Sequence, residues 1–213
     1  MLKVDFHIHS DYSPDSLNTI DDILTIAQKK NIDRIVISDH NTISGALAAK
    51  EKDPERIIIG EEIMTDQGEV LGIFLENEIP WGLTVSETIK QLKDQDAFIA
   101  VPHPFDTYRD GLGAKNLLQF IDEIDAIEVF NARCIQHRFN DQSLAFALKN
   151  DLGQIVGSDA HTNLEIGAAT LEVSFFKNAE ELRSVIREGK QNLEYSPRWT
   201  HFMSTYAKFR KKP

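Results

Sequence analysis

The chain has 213 residues, of which 41% are hydrophobic and 27% charged, and carries a formal net charge of −11. There is enough apolar material for a substantial core, and α/β barrels commonly reach this length undivided, so one domain over residues 1–213 is expected. The acidic balance argues against long nucleic acid and anionic membrane as partners, and the single cysteine, Cys134, excludes an intramolecular disulfide.

Runs rich in Val, Ile, Leu and Phe that end in polar residues predict strands at 2–9, 34–40, 56–62, 70–75, 98–103, 126–131 and 154–159, with an edge or closing strand at 170–176. Between most of these lie helical patterns. Thr19 is placed to cap a helix with Ile20, Ile23, Leu24 and Ala27 on its apolar face. Residues 64–69 are too few for a crossover helix, so the third and fourth strands should be antiparallel or irregularly joined. Thr84-Val85-Ser86-Glu87 has the form of a capping box, and Val85, Ile89 and Leu92 follow at helical spacing. Further helices are expected at 143–148 and at 179–188, the second capped by Asn178 and ended by Gly189. Trp199, Phe202, Met203, Tyr206 and Phe209 recur at helical spacing. They predict a C-terminal helix over about 199–210 that packs its aromatic face on the barrel exterior, a contact with a second copy being the lesser reading. Arg210-Lys211-Lys212 reads as a solvated tail. The alternation of strand and helix indicates an α/β class and parallel βα units distorted at the third and fourth strands. The start, Met1-Leu2-Lys3-Val4-Asp5, lacks an apolar signal core, no stretch is long enough to span a bilayer, and a lone thiol suits a reducing compartment, so a cytoplasmic protein is expected.

Chemistry-bearing residues gather at the predicted strand ends. A parallel α/β barrel displays its chemistry at the C-terminal face of its strands. His7 and His9, two apart on a strand, point to one side and can converge on one ion, with Asp5 in the same row placed to orient a histidine. Glu62 closes an apolar strand, where a carboxylate is costly unless paired or ligated, while its neighbour Glu61 should face the other way and be solvated or salt-bridged. His103 is held between two prolines, and Asp159 and His161 share a side among the small residues Gly157, Ser158 and Ala160. Imidazole and carboxylate donors together suit Zn²⁺, Mn²⁺ or Fe²⁺, and eight or so ligands imply two or three divalent ions.

The ordered series Asp5-Phe6-His7-Ile8-His9-Ser10, Asp15, Ser38-Asp39-His40-Asn41-Thr42, Gly60-Glu61-Glu62, His103-Pro104 and Gly157-Ser158-Asp159-Ala160-His161 resembles the PHP (polymerase and histidinol phosphatase) family over nearly the whole chain. The resemblance implies a distorted seven-stranded (βα) TIM-like barrel with a two- or three-metal centre that hydrolyses phosphoesters. It implies that His7, His9, Glu62 and Asp159 hold one ion, that Glu62 bridges to a second also bound by His103, and that Asp15, His40 and His161 hold a third. Asp11 is an alternative to Asp15, which is preferred because the Ser13-Pro14 turn can fold it back. One departure is visible. Many family members place a histidine or cysteine after the sixth strand, where this chain has Asn131, a poor ligand, with Cys134 nearby. His161 or His40 is a candidate proton relay, and Arg133 and Arg109 are candidates to grip substrate phosphate, with surface salt bridges as the alternative for each. His201 and His137 are expected away from the chemistry.

These features favour a phosphatase acting on a small phosphate monoester of nucleotide or sugar type. A phosphodiesterase or 5′-exonuclease on short oligonucleotides is the nearest rival. An amidohydrolase-type C–N hydrolase and a non-catalytic metal-binding module stand further off, and assembly into a homo-oligomer is left open.

Overall fold

The computed structural model describes residues 1–211, among which nine strands form one sheet. They are β1 (Leu2–Ile8), β2 (Arg34–Ile37), β3 (Ile57–Met64), β4 (Glu69–Ile73), β5 (Phe98–Val101), β6 (Ala126–Asn131), β7 (Gly153–Gly157), β8 (Ala169–Val173) and β9 (Lys190–Leu193). Seven helices accompany them: α1 (Ile20–Lys29), α2 (Ser44–Lys52), α3 (Val85–Lys93), α4 (Gly113–Gln119), α5 (Arg138–Lys149), α6 (Ala179–Val185) and α7 (Thr200–Arg210). None is long and apolar enough to cross a membrane.

The strand order is β7-β6-β5-β4-β3-β2-β1-β8-β9. The sheet curls until its first and seventh strands meet. The amide of Asp159 donates to the His7 carbonyl at 2.7 Å, and that of His9 to the Ala160 carbonyl at 3.0 Å. The barrel-like sheet is therefore nearly closed. It extends beyond the seven barrel strands expected: β8, which matches the edge or closing strand expected at 170–176, pairs antiparallel with β1, and β9 adds to β8 as an outer strand. The approach of β7 to β1 needs Gly157, where a Cβ would collide with His7 Cβ and Glu128 Oε1.

The capping signals act as the sequence suggests. Thr19 accepts the Asp22 amide, Thr84 and Glu87 form a reciprocal capping box, and Asn178 accepts the Glu181 amide. The segment starting at Ala179 ends as a 3-10 turn over Ile186–Glu188. Two helices have no apolar stripe to announce them. α2 buries only Gly45, Ala46 and Ala49, and α4 only Leu117.

The reversal between β3 and β4 shapes the site. β3 pairs antiparallel with β4, and β4 with β5, while the β1–β2, β2–β3, β5–β6 and β6–β7 pairs are parallel. The turn passes through Gly68 at φ +139°, a region L side chains rarely adopt. In consequence β4 brings its first residue, Glu69, to the end of the barrel where its neighbours present their last residues. Glu69 pairs with Met64, and Leu71 with Glu62. Directly opposed residues share a face and so do residues two apart, so Glu62 and Glu69 lie on the same side of the hairpin.

α7 overturns its expected packing. The small residues Thr200, Ser204 and Ala207 are buried, whereas the aromatic residues face outward, Phe202 at 77% exposure. A face of small side chains lets the helix lie close across the barrel mouth, where Ser204 accepts from Arg133 Nη2 at 2.9 Å and Lys208 Nζ stands 3.2 Å from Asp15 Oδ2. The tail is not merely solvated either. Lys211 Nζ donates to the carbonyls of Asp11, Ser13 and Ser16, each at 2.7 Å, and so ties the helix end to the loop after β1. Lys212 lies outside the described residues.

Candidate metal centre

The strand ends deliver their polar residues into one buried cluster. His7 Nε2 lies 3.0 Å from His9 Nε2, 3.4 Å from Glu62 Oε1 and 3.7 Å from Asp159 Oδ1. His9 Nε2 lies 3.3 Å from Glu62 Oε2 and 3.2 Å from Asp159 Oδ1. Four donor atoms from β1, β3 and the loop after β7 thus face a common point. Beside them, Asp15 Oδ1 stands 3.3 Å from His161 Nε2 and 3.5 Å from His40 Nε2. Glu62 joins these groups to a third, since its carboxylate is 3.0 Å from both His40 Nδ1 and His103 Nε2. The backbone bends to aim these side chains, with His103 at φ 27° and Asp159 at φ 51° in the left-handed region.

Hydrogen bonds on the far side of three rings fix their tautomers. His7 Nδ1 meets Glu128 Oε1 at 3.2 Å, and His161 Nδ1 meets the Asp159 carbonyl at 2.8 Å. Ser13 donates its hydroxyl to Asp39, so it accepts from His9 Nδ1 at 3.1 Å. With its proton on Nδ1, each ring presents the Nε2 lone pair inward, the form that ligates a metal. Burial, then the charge of Arg133, pushes the His161 imidazole down to about 3, which keeps it neutral. Against the cost of burial, His7 and His40 hold the Glu62 carboxyl well below the ordinary range, and His7 and Arg109 do the same for Asp159.

The donors fit divalent ions. Imidazole nitrogen and carboxylate oxygen, without thiolate, suit Zn²⁺, Mn²⁺ or Fe²⁺. Asp15 Oδ1 is buried without a hydrogen-bond partner although two imidazole nitrogens stand near it. Three donor groups, His7/His9/Asp159, His9/His40/His161 and His40/Glu62/Glu69, each keep their ligand atoms within 4.8 Å of one another.

All eight sequence-derived candidates, His7, His9, Asp15, His40, Glu62, His103, Asp159 and His161, sit in this cluster, whereas Asp11 is exposed. Several neighbours behave otherwise than expected. Asp5 does not touch an imidazole. Its carboxylate accepts the amides of His7, Ser158 and Gly167, tying β1 to the segment after β7. The imidazole is oriented by Glu128 instead, a buried residue in the middle of β6 that also accepts the His103 amide at 2.8 Å. Glu61 does face away from Glu62, but it is buried and accepts the Ile79 amide rather than meeting solvent or a cation. Burial, then the charge of Glu78, pushes its carboxyl up to about 8. Asn131 gives its amide nitrogen to Glu128 at 2.9 Å and Asp159 at 3.2 Å, while Cys134 is buried on the Gln136 carbonyl with its thiol pushed up to about 11 by burial.

A cavity of about 380 Å³ opens over the cluster. Arg109 and Arg133 line it, as do His201, Ser204, Thr205 and Lys208 of α7, which places His201 on the cavity rather than away from it. Arg109 bonds Asp159 through Nη1 and Asp106 through Nε, and neither its Nη2 nor the Nη1 of Arg133 has a hydrogen-bond partner. Sequence reasoning missed Glu69, Glu128 and the α7 residues. None belongs to a local signature, and only the antiparallel turn before Glu69 hinted that a strand start would reach the mouth.

Comparison with known proteins agrees with this geometry. A family model described as PHP-associated matches residues 137–191. An uncharacterized protein of Methanocaldococcus jannaschii is 40% identical over 144 residues, covering 62% of this chain and 82% of the relative. The solved structure of a two-domain Bacteroides vulgatus protein containing a predicted PHP-like metal-dependent phosphoesterase superposes with a TM-score of 0.74 at 19% identity, over 91% of this chain and 65% of that one. A lesion-specific endonuclease of Pyrococcus furiosus superposes with a TM-score of 0.66 at 19% identity, over 89% of this chain and 57% of that one. At these identities the solved structures speak for the fold.

Proposed function

Because the chain belongs to the PHP family, we propose that it is a metal-dependent phosphoesterase whose substrate is a small phosphate monoester of nucleotide or sugar type. The observation that carries this reading is the convergence of five imidazoles, those of His7, His9, His40, His103 and His161, on the carboxylates of Glu62 and Asp15 beneath a cavity lined by two arginines with unpartnered donors. Two or three divalent ions, Zn²⁺, Mn²⁺ or Fe²⁺, would supply Lewis acidity here, activating water near neutral pH and neutralising charge on the transferring phosphoryl group.

The chain's own groups do the rest. His7, His9 and Asp159 form one ligand set with Glu62, and Asp15, His40 and His161 form another. Glu62 with His103 would hold a further ion. Arg133 offers its unpartnered Nη1 to a phosphate oxygen, while Arg109 steadies Asp159 and keeps one Nη2 donor for substrate. Of the two candidate proton relays, His40 at 23% side-chain exposure is more open to the cavity than His161 at 7%. α7 roofs the cavity, and a volume of about 380 Å³ sits near the lower end of ligand pockets, roughly 300–1,000 Å³, so the compound held is small. A net charge of −11 confines attraction for phosphate to this mouth. The setting is a cytoplasmic one.

A second reading, diester cleavage at the end of a short oligonucleotide, draws on Tyr108, which stands on the cavity rim at 63% exposure and offers a face on which a base can stack. Protein assayed with Mn²⁺, Zn²⁺ and Fe²⁺ on p-nitrophenyl phosphate, its bis-ester and a panel of amides separates the possibilities. Monoester turnover that His9→Ala abolishes is the expected result, and turnover of the bis-ester alone selects the diesterase. Amide cleavage, or no hydrolysis by metal-loaded protein, would contradict both.

A further inference from the structure

The sixth strand gives the centre no ligand. Asn131 spends its amide nitrogen on Glu128 and Asp159, and its Oδ1 accepts the Arg133 amide at 3.0 Å. Glu69 reaches the same region from β4, which flanks β5 on the side away from β6. Its Oε2 is 3.5 Å from His103 Nε2, its Oε1 is 3.6 Å from His40 Nδ1, and both rings are 3.0 Å from Glu62.

The two Glu69 spacings are long for hydrogen bonds and suit donors that share an ion. Ligand atoms about 2.1 Å from a tetrahedral ion stand about 3.4 Å apart. Donor atoms of His40, Glu62 and Glu69 all lie within 4.8 Å of one another. Glu69 is also buried, at 6% exposure, and among the described residues its ion pairs are to the two imidazoles alone. A buried carboxylate in that position, beside the acidic Glu62, is costly unless a cation stands between them.

We propose that Glu69 is a ligand of the second ion, completing with Glu62 and His103 the set that Asn131 leaves short. The assignment rests on reading the cluster as a metal centre. Its structural origin is the antiparallel β3–β4 turn, which carries a strand's first residue to a face otherwise furnished by strand ends. With two carboxylates to one imidazole, this site is the hardest of the three, which suits Mn²⁺ as the probe.

The test is Mn²⁺ binding by chelator-stripped protein, followed by calorimetric titration and by metal content after equilibrium dialysis. The proteins are wild type, Glu69→Gln, Glu69→Asp and His9→Ala, each checked for native near-ultraviolet circular dichroism. Glu69→Gln is nearly isosteric and removes only the charge. It should lose one Mn²⁺ equivalent, or bind it about tenfold or more weakly, while the remaining equivalents keep wild-type affinity. Glu69→Asp should recover part of that loss, and His9→Ala should lose a different equivalent. Wild-type stoichiometry and affinity in Glu69→Gln would overturn the assignment and leave the metal centre standing. Wild type that binds no divalent ion would overturn the centre itself.

Discussion

Around the barrel mouth, β1, β2, β5 and β7 deliver histidines and Asp159 from the ends of parallel-paired strands, each inside a short signature such as His7-Ile8-His9 or Asp159-Ala160-His161. Between β2 and β5, the antiparallel β3–β4 hairpin delivers Glu62 and Glu69, seven positions apart in sequence yet on one face of the hairpin. The parallel side supplies imidazoles, three of which are oriented through Nδ1 by Glu128, Ser13 and the Asp159 carbonyl. The hairpin side supplies negative charge. The difference shows how the cluster divides its labour: imidazoles set the geometry, and the hairpin carboxylates bind it together and create the need for cations.

The sharpest way to break this picture is to neutralise the shared carboxylate. Glu62→Gln touches all four imidazole neighbours, His7, His9, His40 and His103, and should cut phosphoester turnover by about 1,000-fold or more while lowering the bound metal count. A loss confined to one ion would mean that Glu62 joins nothing. Next in size is Arg133→Ala, which removes a charge-assisted donor worth about 1.5–3 kcal/mol and should lower kcat/KM roughly 10- to 100-fold, read in steady-state kinetics. Lys208→Ala probes the roof. Its ammonium is exposed and its partner Asp15 is a ligand candidate, so KM should move by no more than about fivefold with kcat retained.

The smallest effect concerns Glu61, the carboxylate on the far face of the same strand. A carboxyl raised from 4.5 to about 8 in the fold keeps its proton there while the unfolded chain releases it, so stability falls as pH rises between those values. Urea unfolding with chelator present, at pH 5, 6.5 and 8, should therefore decline more steeply for wild type than for Glu61→Gln. Parallel curves would contradict the assignment.

The parallel half was legible in the sequence because a strand end and its ligand are contiguous, so apolar run and polar terminus appear together. The β3–β4 reversal was legible too, from the shortness of residues 64–69. Its consequence for Glu69 was not, since a strand's first residue carries no signature. Glu128 was hidden inside the apolar run of β6, where alternation would have marked it only if the inner face were known to be polar. α7 misled for a different reason. Aromatic residues at helical spacing ordinarily mark the buried face, but here Thr200, Ser204 and Ala207 are buried so that the helix can approach the mouth. The strand count fell short because β9, Lys-Gln-Asn-Leu, is polar and only partly buried.

Anomalous diffraction from crystals grown with Mn²⁺ addresses the central claim most directly. Peaks at the barrel mouth, at least one among His7, His9, Glu62 and Asp159 and another between Glu62 and His103, are the predicted result. Fully metal-loaded crystals with no peak within bonding distance of these side chains would contradict it.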